Sequence, residues 1–86
     1  MNPFLLIESV VFLCSKHGGS VCSWGRTPKH NQDVGGVENS LHMLYLGCDV
    51  VLDDMFKNTV FEKDAGSLGL NAIFEGDHYH LQPKNI

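Results

Sequence analysis

The chain has 86 residues, enough for one small domain whose apolar core alone leaves a thin margin of stability. Six Lys and Arg against ten Asp and Glu give a formal net charge of −4, which argues against nucleic acid as the main partner. An apolar share of 43% is ordinary for a globular protein and argues against disorder. In a chain of this size a bound metal would be a useful structural contribution. The three cysteines, Cys14, Cys22 and Cys48, are odd in number and form no C-x-x-C, so they read as buried or free thiols.

Asn2-Pro3 reads as a helix start, because Asn caps and Pro fits the first turn. Phe4, Ile7, Val11 and Cys14 form one stripe, flanked by Leu6, Val10 and Leu13, and Gly18-Gly19 ends the helix. This run is interrupted by Glu8, lacks a preceding basic residue and is too short to span a bilayer, so it is expected to be a buried core helix. On this reading there is no signal peptide and the chain is cytoplasmic when made. Ser20 to Trp24 reads as a short strand, and Thr27-Pro28 as the start of a short helix through about Asp33. Gly47 to Leu52 is a second strand. Asp53-Asp54 is expected to cap a third helix carrying Met55, Phe56, Val60 and Phe61 and ending at Ala65-Gly66. Leu70 to Phe74 and His78 to Gln82 are expected strands joined by a Glu75-Gly76 turn. The expected architecture is one α+β domain over residues 1–86, a small antiparallel sheet with helices packed on one side.

Alternation along Gly47–Leu52 places Cys48, Val50 and Leu52 on one face and Asp49 on the other, away from the core row. His42 lies seven positions before Asp49, on the loop feeding this strand, so an imidazole and a carboxylate are offered to one divalent ion. His78 and His80 are two apart on one strand and face the same way, and either ring can bind. Three protein ligands and an open fourth position make a catalytic zinc, with a non-ligand carboxylate to take the proton. The chain can fill these roles with His42, Asp49 and His80 as ligands, Asp77 as base and Arg26 facing the developing oxyanion. By spacing alone Arg26 reads as an ordinary surface arginine, and His17 and His30 read as surface residues.

These residues resemble the zinc D-alanyl-D-alanine carboxypeptidase family of metallopeptidases, in particular its short phage-like branch. The resemblance runs over Gly25-Arg26-Thr27-Pro28-Lys29-His30-Asn31, Val34-Gly35-Gly36, Asn39-Ser40-Leu41-His42 to Asp49, and the closing Asp77-His78-Tyr79-His80. It implies a hedgehog/D,D-peptidase-like fold, with His42, Asp49 and His80 as zinc ligands and Asp77 as general base. It further implies that Arg26 stabilises the tetrahedral intermediate, that Ser40 positions substrate or loop, and that His78 is an imidazole supporting the site. Two positions depart from the family's H-x-x-G-x-A-x-D: Tyr45 stands at the glycine and Gly47 at the alanine. An Asp base is the choice of the related L-alanyl-D-glutamate endopeptidases.

The expected activity is therefore hydrolysis of peptidoglycan stem peptides, by a zinc D,D-carboxypeptidase or a lysin-type endopeptidase released to the cell wall. The competing expectation is a zinc-binding structural or cell-wall-recognition module without turnover, which Tyr45 favours. Neither reading calls for nucleic acid or membrane insertion, and the chain is expected to act as a monomer.

Overall fold

The computed structural model describes residues 1–25, 35, 45–54 and 56–84. They form α1 (Pro3–His17), β1 (Gly19–Ser23), β2 (Cys48–Leu52), α2 (Thr59–Ser67), β3 (Leu70–Phe74) and β4 (Tyr79–Pro83). The strands make one antiparallel sheet in the order β1-β2-β4-β3, with both helices packed against it, an α+β domain. The helix expected over residues 28–33 lies outside the described residues.

Helix α1 is bounded as its ends dictate. The Asn2 side chain accepts a hydrogen bond from the Leu5 amide at 2.9 Å, Pro3 occupies the first turn, and Gly18 closes the helix at φ +71°. A β-carbon at Gly18 would meet Asp53 Oδ2 at 2.8 Å, a contact the exposed Asp53 side chain can relieve by turning, so it is the left-handed backbone that favours glycine there. The fully buried stripe is Leu6, Val10 and Leu13, expected only to flank it; Ile7 and Cys14 of the expected stripe are half-buried against it, and Phe4 and Val11 are exposed. Phe4 is 79% exposed and Val11 and Phe12 are also exposed, so only one face of this apolar helix is buried. No helix among the described residues is long and apolar enough to cross a membrane.

The second correction concerns α2, which starts at Thr59 and is capped by Asn58 rather than by Asp53-Asp54. The Asp53 amide donates to the Gly18 carbonyl at 2.7 Å and so continues the β1–β2 ladder instead of opening a helix. Of the phenylalanines expected in the core, Phe61 is buried with Ala65, whereas Phe56 is exposed, as is Val60. Met55 lies outside the described residues. Strand β3 has the expected bounds; β1, β2 and β4 are displaced from theirs by one residue at one or both ends.

Alternation sorts the sheet into two faces. Cys48, Val50 and Leu52 of β2, Tyr79, Leu81 and Pro83 of β4, and Leu70 of β3 turn toward the helices and are buried. Asp49 and Val51 of β2, and His80 and Gln82 of β4, lie on the opposite face, open only in the sense that neither α1 nor α2 packs on it. His17, expected at the surface, is only 10% exposed; its Nε2 meets Asp64 Oδ2 at 2.7 Å and its ring packs edge-on against Phe61, tying α1 to α2.

The buried Tyr79 hydroxyl donates to Glu62 Oε2 at 2.6 Å and accepts from the Asn58 amide at 2.7 Å. Lys57 Nζ reaches the same carboxylate at 2.7 Å. Lys57 first, then Tyr79, holds the Glu62 carboxyl below the ordinary glutamate range. A depressed folded-state pKa contributes stability above the unfolded value, and that contribution is lost as pH falls through the folded value. Glu62→Gln is therefore expected to flatten the acid limb of the stability curve, read as urea midpoints across mildly acidic pH. An unchanged limb would show that the network carries no linkage.

Candidate metal centre

Pairing of β2 with β4 puts Asp49 directly opposite His80, so both side chains rise from the open face. Their Oδ1 and Nδ1 atoms are 3.1 Å apart, and both side chains are largely shielded from solvent. His80 Nε2 meets Gln82 Oε1 at 2.9 Å. A ring protonated on both nitrogens donates to both oxygens, and with the Gln82 amide turned over the neutral ring is satisfied equally. Asp49 raises the His80 pKa above the ordinary histidine value, against the opposing effect of burial.

The remaining groups stand around this pair. Ser23, on β1, is in register with Asp49 from the other side. His78 lies at the base of the β3–β4 hairpin, where the Glu75 amide donates to the His78 carbonyl at 2.9 Å. Its Nδ1 meets Asp77 Oδ1 at 2.5 Å and its Nε2 meets Glu75 Oε2 at 3.1 Å. Asp77 raises the His78 pKa, and His78 holds the Asp77 carboxyl below the ordinary aspartate range. The Asp77 side chain is 89% exposed at the hairpin tip. All three thiols are free. Cys22 donates to the Asp49 carbonyl at 3.5 Å, while burial pushes the Cys48 pKa up to about 12. Neither is an activated thiolate.

Trp24 and Gly25 continue from β1 toward Arg26. Trp24 Nε1 donates to the Tyr45 carbonyl at 3.1 Å, and the two rings meet edge-to-face at 5.4 Å. A β-carbon at Gly25 would fall 1.9 Å from the Tyr45 ring, so Gly25 is the seat for that ring. Tyr45 itself has φ +58°, the one positive value at a non-glycine residue among those described. This is backbone that glycine adopts at least cost.

Of the expected site residues, the fold brings Asp49 and His80 into contact, places His78 on the adjoining hairpin, and leaves Asp77 paired with its own neighbour. Arg26, Ser40, His42 and His30 lie outside the described residues. Among the described residues no three His, Cys, Asp or Glu side chains converge on one point that could hold a metal. The sequence reading passed over Gln82, although H-x-Q on a strand places it on the same face as His80. Glu75, expected only as a turn residue, adds a carboxylate contact to His78 Nε2.

Asp49 and His80 offer one oxygen and one nitrogen donor, two of the ligand types that zinc takes. Oxygen and nitrogen ligands at about 2.0–2.1 Å in a tetrahedral site are separated by roughly 3.3 Å, close to the spacing of Asp49 and His80. Compared with protein-family models, with curated proteins and with solved structures, the chain matches none.

Proposed function

We propose that the open face of the sheet is a zinc site and that the chain is a zinc peptidase of peptidoglycan stem peptides, either a D,D-carboxypeptidase or a lysin-type endopeptidase. The observation that carries this reading is the approach of Asp49 Oδ1 to His80 Nδ1 at 3.1 Å on the face turned away from the helices. His42 is the third ligand in this reading, and the hedgehog/D,D-peptidase-like arrangement belongs to the same proposal.

Bound zinc would lower the pKa of a coordinated water to roughly 7 and polarise the scissile carbonyl. Asp77 would accept the proton, and His78 holds its carboxyl below the ordinary aspartate range, which keeps it ionised but makes it a weaker base than an unpaired aspartate. His78, held between Asp77 and Glu75, keeps the base at the hairpin tip. Arg26 balances negative charge developing on the carbonyl oxygen, and Ser40 positions the substrate. Released as a lysin, the protein would act at the cell wall.

Asp77→Ala is expected to lower peptide release from purified cell walls by about 10²–10⁴-fold while zinc stays bound. The second reading, a zinc-binding structural or wall-recognition module, is favoured by the exposure of Asp77 and its commitment to His78. Zinc binding with no release by the parent protein would select that module.

A further inference from the structure

We propose that the outer edge of β3 is a self-association surface, where a second copy of this chain adds its own β3 antiparallel about a two-fold axis at Ala72. Among the described residues β3 ends the sheet and pairs with β4 on one side. Hydrogen bonds from the Glu75 amide to the His78 carbonyl and from the Lys84 amide to the Gly69 carbonyl fix the phase of that ladder. By alternation Asn71 and Ile73 bond to β4, so the amides and carbonyls of Leu70, Ala72 and Phe74 point outward.

The two edges of the sheet differ. β1 is broken by a bulge between Val21 and Ser23, a device that discourages pairing. β3 runs Leu70-Asn71-Ala72-Ile73-Phe74 without a charge, a proline or a break in register. Such an edge is a template for another strand.

The edge is complementary to itself. With the axis at Ala72, Leu70 of one copy faces Phe74 of the other and Ala72 faces Ala72. Each of these pairings uses the outward groups and exchanges both of its hydrogen bonds. On the open face the exposed Asn71 comes opposite Ile73, itself 44% exposed. A substrate peptide fits this edge less well. A strand outside β3 lies two strand spacings, about 10 Å, from the backbone of β4 that carries His80. That is too far for its bonds to reach the Asp49–His80 pair, and a neutral edge offers no charge to select a foreign peptide. The net charge of −4 opposes approach of two copies, so association is weak and strengthens with salt. It adds a concentration-dependent step to the single-chain unit expected from the sequence and does not depend on the zinc reading.

Sedimentation velocity on the full chain, from micromolar to millimolar, tests the register with two double variants. Asn71→Glu with Ile73→Lys sets opposite charges across the axis, and Asn71→Lys with Ile73→Lys sets like charges there. The first is expected to dimerise as the parent does, and the second to associate at least about tenfold more weakly. Ala72→Pro removes an outward amide that the intrachain ladder does not use, and is expected to yield a folded monomer by circular dichroism. A parent chain that stays monomeric at millimolar concentration, or equal association by the two double variants, would overturn the proposal.

Discussion

Phe61→Ala is expected to remove about 3–5 kcal/mol of folding stability. Phe61 is fully buried, meets the tilted Tyr79 ring at 4.8 Å and lies edge-to-face with His17 at 5.4 Å, so it joins α2, β4 and α1 at one point. Deleting the ring leaves a cavity that three elements would have to close together, and a small domain has only about 5–15 kcal/mol in total. At about 4–8 °C per kcal/mol the melting temperature should fall far enough that much of the protein is unfolded at physiological temperature. Val60→Ala, one residue away at an exposed position, should stay within about 0.5 kcal/mol. Equal effects from the two variants in thermal and denaturant unfolding would contradict the packing described for α2.

His80→Ala is expected to abolish zinc binding under conditions where the parent takes up one ion per chain. Loss of a group that merely supports a ligand costs about 10–100-fold in metal affinity, and loss of the ligand itself must exceed that. Gln82→Leu supplies the comparison: it leaves both donors in place, removes the contact to His80 Nε2, and should fall within the smaller range. Zinc requires the deprotonated ligand nitrogen. Because Asp49 raises the pKa of His80, affinity should decline as pH falls through that raised value. Isothermal titration of the three proteins at two pH values reads both effects. Unchanged zinc affinity in His80→Ala would remove His80 from the site.

The residues that bound elements were legible where their chemistry was local. Asn2, Pro3 and Gly18 delimit α1 from their own side chains and backbone, and the Glu75-Gly76 turn marks the last hairpin. Which face of α1 is buried was not legible, because Phe4 to Leu13 is apolar on several sides and its periodicity fits more than one stripe. The start of α2 was misread for a tertiary reason. Asp53 looks like a cap in the sequence, but its amide is drawn into the β1–β2 ladder by Gly18. Alternation correctly placed Asp49 on the open face of β2, and the parity of His80 and Gln82 follows from the same rule. The direct contact of Asp49 with His80 depends on β4 inserting between β2 and β3, a long-range choice that residue spacing does not encode.

X-ray absorption at the zinc edge of the loaded protein tests the central claim most directly, because the chain offers thiols as well as imidazoles and carboxylates. Binding through Asp49 and His80 predicts nitrogen and oxygen neighbours at about 2.0–2.1 Å and no sulfur. Failure to take up zinc, or a shell of sulfur at about 2.3 Å from the cysteines, would contradict it.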